Sequence, residues 1–503
     1  MSIGSITDNG QPGGAPPPAE GVERADVEAV NVGRGTIFEK RKKIYPQRVH
    51  GAFRNFKWLV MIVTLGIYYV TPWIRWDRGP GAPDQAVLID FPARKFYFFF
   101  IEIWPQEVIL GAGLLIAAAF GLFLVTSALG RAWCGYTCPQ TVWTDLFLVV
   151  ERAFEGRRNQ RMKLDKSPWS LNKLLRKTGK HIVWLAIAVA TGGAWVFYFA
   201  DAPTLASDLI HFEAPVTAYF FVGLFTFTTY MLGGHLREQV CTYMCPWPRI
   251  QAAMMDAESL AVTYRFDRGE PRGPHKKGDS WDDRGDCIDC HQCVVVCPMG
   301  VDIRNGAQLA CINCALCIDA CNSVMDKIGR PRGLIGYDTD GNIARRQEGK
   351  KSVYRLIRPR TIMYAVLVVI VSSITLYFLT HRTLLDVSIR PDRNPLYVTL
   401  SDGRIQNGYT INIVNKRREE GRFRIDALNM DGKAEVIGIG GTSDSERNEP
   451  ILTVEPDETR QIRIIVRLPR DVITDDSIPL TFEVRDMNTD DFVDLKTKFQ
   501  GPE

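Results

Sequence analysis

The chain of 503 residues has no cysteine before Cys134 and none after Cys321. A secreted disulfide framework would spread its cysteines through the extracellular part, so metal ligation is the better reading of this clustering. The first 30 residues lack both a basic start and an apolar stretch, and so lack the pattern of a secretion leader. They are rich in Gly, Pro and Ala, and residues 1–35 read as a disordered tail. A net charge of +4 is too small to make nucleic acid a partner. Gly438-Ile439-Gly440-Gly441 is glycine-rich, but it sits among strand-like runs with no helix after it, so a tight turn is expected and not a nucleotide loop.

What the sequence does have is segregation. Long apolar runs alternate with basic stretches, the pattern of an integral membrane protein. Crossing a bilayer takes about 20 apolar residues. Such runs occur at Trp58–Ile74, about Val108–Gly130, Ile182–Ala200, Val216–Gly234 and Thr361–Leu379. Phe96–Trp104 is apolar but short, carries Glu102 and is followed by Pro105, which leaves open whether it enters the membrane.

Orientation follows from Lys and Arg. The flank before the first span is strongly basic, from Lys40 to Lys57, and the loop 131–181 holds eleven basic residues while the loop 201–215 holds none. The expectation is a multi-pass protein of the bacterial inner membrane, with the N-terminus and residues 235–360 in the cytoplasm and residues 381–503 in the periplasm. The basic face around Arg157, Arg158, Arg161, Lys163 and Lys166 then reflects topology and anionic headgroups.

After residue 380 the pattern switches to period two, at 386–390, 409–414, 461–466 and 479–484, with Asn407-Gly408 and Asp431-Gly432 as expected turns. Short, evenly spaced strands predict an immunoglobulin-like β-sandwich. With the runs Cys287-x2-Cys290-x2-Cys293-x3-Cys297 and Cys311-x2-Cys314-x2-Cys317-x3-Cys321 between the fourth and fifth spans, the fold class is a membrane α-helical protein of about five spans, with an inserted bacterial-type two-[4Fe–4S] ferredoxin-like domain and a C-terminal immunoglobulin-like sandwich. The expected divisions are a tail at 1–35, four spans within 36–284, the ferredoxin domain at 285–330, a cytoplasmic linker at 331–360, the fifth span at 361–380 and the sandwich at 381–503.

The ferredoxin domain rests on Cys287-x2-Cys290-x2-Cys293-x3-Cys297-Pro298, followed by Cys311-x2-Cys314-x2-Cys317-x3-Cys321. In such runs three thiolates wrap one cubane and the fourth ligates the other cluster. Cys287, Cys290, Cys293 and Cys321 are assigned to one cluster, and Cys297, Cys311, Cys314 and Cys317 to the second. The second run ends in Cys321-Asn322 where the first ends in Cys-Pro, which removes no ligand. Four-cysteine sites also suit zinc, but eight cysteines in this double register favour iron–sulfur clusters. Cys287-Ile-Asp-Cys290-His291 imitates a c-type haem attachment sequence, yet both cysteines are needed by the ferredoxin register. His291 is expected as a polar neighbour of the cluster.

Two further pairs, Cys134-x3-Cys138-Pro139 and Cys241-x3-Cys245-Pro246, each follow a span that ends toward the cytoplasm. If the backbone is helical there, i and i+4 put both sulfurs of a pair on one face. Two pairs could then converge into one site for Cu(I), zinc or an iron–sulfur centre, or each could cycle between dithiol and disulfide. Inert buried thiols would not need the duplicated spacing. Met244, Met254 and Met255 read as packing with a lesser claim to ligation, and His235 as a surface histidine.

With these motifs in one order, including Arg131-Ala-Trp-Cys-Gly-Tyr-Thr-Cys-Pro-Gln-Thr-Val-Trp143, the chain resembles the cytochrome c oxidase accessory proteins of the CcoG/FixG type over nearly everything after the tail. That resemblance implies an inner-membrane role in assembling cbb3-type cytochrome c oxidase. It also implies reduction of Cu(II) to Cu(I), which would make Cys134, Cys138, Cys241 and Cys245 the catalytic copper site of a cupric reductase. Oxidase subunits, assembly factors and copper carriers are then the expected partners, with the electron donor unnamed. The competing readings are a quinol dehydrogenase-like donor to a periplasmic reductase and a non-catalytic assembly scaffold.

Overall fold

Among the described residues, five helices are long and apolar enough to cross a membrane: Ala52–Trp73, Val108–Leu129, Leu171–Val196, Val216–Leu236 and Pro359–Thr380. Their order and number are those read from the apolar runs. Val108–Leu129 and Pro359–Thr380 leave most of their side chains uncovered by protein, among them Leu114, Leu115, Val366 and Ile370. Apolar faces of that extent need lipid as solvent, and helices satisfy their own backbone there. The computed structural model describes residues 43–502 except 80–81, 277, 382–384, 418, 429–433, 440–441, 444–449, 457 and 474. The expected tail at 1–35 and the Asp431-Gly432 turn lie outside the described residues.

The chain divides into two compact units, Met1–Leu376 and Tyr377–Glu503. In the first, the segment Phe96–Trp104 is not a helix. Three antiparallel strands, β1 (Val87–Asp90), β2 (Lys95–Phe98) and β3 (Ile101–Ile103), form a small sheet there. Alternating burial along β2, with Lys95 and Tyr97 covered, explains the choice of strand for so short a run.

The helix Pro139–Glu155 buries Asp145, Glu151 and Glu155. Their partners come from the basic flanks. Arg54 donates to Asp145 at 2.7 Å, Arg237 and Arg161 hold Glu151, and Lys180 reaches Glu155 at 2.8 Å. Arg161, expected on a basic face toward anionic headgroups, is thus fully buried. Charge that reads as topology in the sequence is partly spent on an internal ion-pair network, as buried charges require.

The cysteine runs lie between β4 (Ala261–Tyr264) and β5 (Ile335–Asp338), which pair antiparallel with Tyr264 opposite Ile335. Val262, Tyr264, Leu334 and Ile335 pack in one core with Cys287, Cys293 and Cys321. Residues 335–347, expected in a linker, therefore form a strand and the short helix Asp340–Gln347.

The second unit is a two-sheet sandwich. Its strands are β6 (Leu385–Pro391), β7 (Val398–Thr399), β8 (Ile405–Asn415), β9 (Gly421–Leu428), β10 (Glu435–Ile439), β11 (Thr442–Ser443), β12 (Pro450–Val454), β13 (Thr459–Leu468), β14 (Ser477–Asp486) and β15 (Phe492–Gln500). One sheet runs β10-β13-β8-β6 with β7 beside β8, the other β11-β12-β9-β14-β15. Inward residues such as Tyr409, Ile411, Ile464, Phe423 and Phe482 alternate with outward polar ones and form its core. Asn407-Gly408 is not a turn: both residues lie inside β8, where Gly408 leaves room for the Asp392 carboxylate. Gly438 and Ile439 lie in β10, so that half of the expected turn is strand, and 440–441 lie outside the described residues.

Candidate metal centres

The two cysteine runs repeat one backbone shape. Asp289 and His291 have φ of 53° and 56°, and Asn313 and Ala315 at the matching positions have 53° and 60°. These left-handed residues turn each loop around its sulfurs before a helix begins, Gln292–Val295 in the first run and Leu316–Lys327 in the second.

Cys287, Cys290, Cys293 and Cys321 line one cavity. Cys297, Cys311, Cys314 and Cys317 line another, which Cys293 also borders. The last cysteine of each run thus crosses to the cavity of the other, as the spacing predicts. Apart from Arg304 and His291 at the first cavity, the remaining walls are largely apolar, and no carboxylate lines either. Burial pushes the Cys297 and Cys321 thiols up to about 12 and Cys311 up to about 11, and raises Cys293 and Cys317 well above the ordinary value. As bare thiols they hold their protons, so ligation must release them. Four soft donors per cavity with apolar walls fit a [4Fe–4S] cluster in each. His291 stands at the first cavity with Nε2 3.0 Å from Asp289 Oδ1.

The membrane pairs also come together. Cys134 lies in the short helix Ala132–Tyr136, Cys138 caps the helix Pro139–Glu155, Cys241 lies in a π-helical turn Val240–Met244 and Cys245 ends it. No single α-helix carries either pair, so the expected i, i+4 geometry holds in neither. The four thiols nonetheless lie in one neighbourhood: Cys134 feels the charge of Cys138, Cys241 and Cys245, and Cys241 that of Cys138 and Cys245. Among the described residues no three His, Cys, Asp or Glu side chains are gathered tightly enough for one ion, so ligation by all four needs the sulfurs to close in. Burial raises Cys134 and Cys241 to about 12. Disulfide formation and metal ligation alike must first release these protons.

The methionines do not join this set in the same way. Met244 is exposed, and the Met254 sulfur accepts the Tyr364 hydroxyl at 2.7 Å.

Three residues that spacing did not single out tie the membrane thiols to the second cavity. Gly135 lies against the 312–314 loop, where a Cβ would come within 2.7 Å of the Ile312 carbonyl oxygen and 3.0 Å of Cys314 Cα. Only glycine fits that approach. The buried Arg131 guanidinium donates to the carbonyls of Leu309, of Cys311 at 3.0 Å and of Pro248 at 2.8 Å. Gln251 accepts from the Cys134 thiol at 3.1 Å. Cys134, Cys241, Cys297 and Cys317 all pack against one cluster that includes Val296, Met299, Ile312 and Leu316. The Arg131–Trp143 string contained Arg131 and Gly135 in plain sight; nothing in the sequence marked Gln251.

Two cavities of four cysteines each, on a chain with five span-length apolar helices and a β-sandwich, define a membrane-bound dicluster iron–sulfur protein. The family described as 4Fe-4S dicluster domain matches residues 236–340, a 4Fe-4S binding domain matches 111–157, and the IG-like fold at the C-terminal of FixG matches 375–502. Nitrogen fixation protein FixG of Rhizobium meliloti (strain 1021) is 52% identical over 480 residues, 89% of this chain and 91% of the relative. Two proteins of Cereibacter sphaeroides are similar as well: Protein RdxB at 54% identity (80% of this chain, 87% of its own) and Protein RdxA at 53% (79% and 84%). This chain belongs to the FixG family and is a FixG-type iron–sulfur redox protein. The 111–157 match contains Cys134 and Cys138, and the 236–340 match contains Cys241 and Cys245.

Proposed function

We propose that the chain passes single electrons through two [4Fe–4S] clusters to copper, reducing Cu(II) to Cu(I) during assembly of a cbb3-type cytochrome c oxidase. Cys287, Cys290, Cys293 and Cys321 ligate the first cluster, and Cys297, Cys311, Cys314 and Cys317 the second. Cys134, Cys138, Cys241 and Cys245 take copper as substrate. The observation that carries this reading is proximity: Cys134 and Cys241, one thiol from each membrane pair, pack against the same cluster as Cys297 and Cys317. Each reduced cluster loses one electron as one Cu(II) becomes Cu(I), and thiolate ligation favours the softer product.

The Lys and Arg distribution supports a cytoplasmic ferredoxin segment and a periplasmic sandwich. There the sandwich would meet oxidase subunits, assembly factors and copper carriers. The test is Cu(II) reduction by chemically reduced protein. Cys→Ser at the membrane pairs should abolish copper binding and leave about eight iron per chain, since each cubane holds four. Cys→Ser in the ferredoxin runs should keep copper binding and abolish reduction. Unaltered Cu(II) reduction in the membrane-pair variants would remove the copper site from these residues.

A second reading is favoured by the 4Fe-4S binding domain over 111–157. There the membrane thiols hold a third cluster, and the chain relays electrons from quinol toward a periplasmic reductase. About twelve iron per chain instead of about eight would decide for it.

A further inference from the structure

A cavity of about 340 Å³ lies between the start of the third span, Leu171–Val196, and the end of the fourth, Val216–Leu236. Trp184 and the imidazoles of His181 and His235 form one wall, with the two imidazole rings 5.8 Å apart and 11° from parallel. The fourth span leaves α-helical geometry after Thr229 and continues as a π-helix over Tyr230–Leu236. Such stretches recur at functional sites because they re-aim side chains within a helix. This one brings the Tyr230 hydroxyl within 2.9 Å of His181 Nδ1 and sets the Tyr230 and His235 rings 5.1 Å apart. Gly234 permits the approach, since a Cβ there would lie 3.1 Å from the Trp184 indole.

The charges around the cavity narrow what it can take. Lys180 and Lys177 reach Glu155 at 2.8 and 2.9 Å, Arg237 and Arg161 hold Glu151, and Lys43 reaches Asp165 at 2.6 Å. The cations already have carboxylate partners, so a phosphate headgroup would have to displace them. What the cavity presents instead is two imidazoles, backed by the buried Trp184 and set among charges that are already paired, at the end of two membrane spans. That suits a neutral, lipid-soluble ring bearing exchangeable protons. Glu238 lines this cavity and also the small void bordered by Cys241, Ile312 and Leu316, so the cavity abuts the packing layer between the membrane thiols and the second cluster position.

We propose that the cavity walled by His181, Trp184 and His235 is a quinol-oxidation site that supplies the chain with electrons. One quinol becomes quinone as its two electrons pass to the two oxidised clusters, one each. Its two hydroxyl protons pass to the imidazole pair. This rests on the electron-transfer reading above: the second reading already names quinol, and what is added is the site at which it is oxidised, whichever acceptor follows.

The test uses the full-length, cluster-loaded protein in lipid nanodiscs without oxygen. Decylubiquinol and menadiol are each mixed with wild type, His181→Gln and His235→Gln, and cluster bleaching is followed against dithionite as a site-independent reductant. Binding of decylubiquinone is measured by calorimetry. At least one quinol should bleach the wild-type clusters. Each variant should do so at least tenfold more slowly and bind the quinone at least tenfold more weakly, with dithionite bleaching unchanged. The proposal fails if neither quinol reduces wild-type clusters that dithionite does reduce, or if both variants keep the wild-type rate. It also fails if a phospholipid is retained by wild type and lost from both variants, which would make the cavity a lipid seat. Failure of dithionite-reduced protein to reduce Cu(II) would strike the copper reading alone and leave the quinol result standing.

Discussion

The two cysteine runs have the same spacing and the same left-handed turns, yet they sit in opposite electrostatic surroundings. Around the first run lie ion pairs: Asp289 with His291 and Arg304, Arg304 again with Asp302, and Asp286 with Arg268 and Arg330. Among the described residues, no charged side chain lines the second cavity. Beside it stands Arg131, which is buried, donates to three carbonyls including that of Cys311, and has no carboxylate partner among the described residues. Ligand geometry repeats while the field around it does not. Since cluster potentials respond to charge, hydrogen bonding and burial, two chemically identical clusters become two different steps.

The largest expected effect tests the shared part of this comparison. Cys297→Ser should cost the cluster held by the second run, and Cys321→Ser the one held by the first. Each should lower iron from about eight to about four per chain. Spectroscopy of the surviving cluster shows which one is left. Loss of the cluster of the mutated run itself would break the crossed assignment.

Compartment comes next, because only one of the two units carries cysteine. Reporter fusions at about residue 340 and about residue 400 should report opposite sides of the membrane. Matching sides would mean that Pro359–Thr380 does not cross.

Arg131→Met sharpens the difference between the runs. The substitution removes a buried charge beside Cys311 and leaves the carbonyls of Leu309, Cys311 and Pro248 without that donor. Reduction adds negative charge to a cluster, so loss of the cation should lower the potential of the second cluster. With a unit charge at an effective dielectric of about 20, the shift is roughly 50–100 mV. The first cluster should move much less, which a redox titration followed by paramagnetic resonance separates.

How much of this was legible depends on which residues set it. Ligand spacing is a local pattern, so both cluster positions and the crossing of Cys297 and Cys321 could be read from the sequence. The five spans were equally plain, because lipid demands a long run of apolar residues. Period-two patterning gave the sandwich, although Asn407-Gly408 looked like a turn and lies within β8. What stayed hidden is contact across the fold. Nothing local pairs Arg161 with Glu151, Gly135 with the Ile312 carbonyl, or His235 with His181. The convergence of Cys134 and Cys138 with Cys241 and Cys245 was guessed from duplication, not from a helix that carries each pair. Phe96–Trp104 shows the limit of composition, since a short apolar run is ambiguous between strand and span until its neighbours β1 and β2 pair with it.

The smallest expected effect isolates one charge. Asp289 and Asn313 occupy matching positions with the same φ of 53°. Asparagine is already accepted at that turn in the second run, and it tolerates the left-handed region at least as well as aspartate. Asp289→Asn should therefore leave the loop and the iron content unchanged. What it removes is a carboxylate that accepts from Arg304 at 2.5 Å and lies 3.0 Å from His291 Nε2. Arg304 keeps Asp302, its Nε donating to that carboxylate at 2.9 Å, so only part of the local balance is lost. The net change is one negative charge fewer beside the first cavity, which favours the reduced cluster. Partial exposure of the site screens the effect, and a rise of roughly 20–50 mV follows at an effective dielectric near 20–40. The second cluster should hold its potential. If both potentials rose together, the surroundings of the two runs would be one shared field, and the difference between the runs would not set the order of electron transfer.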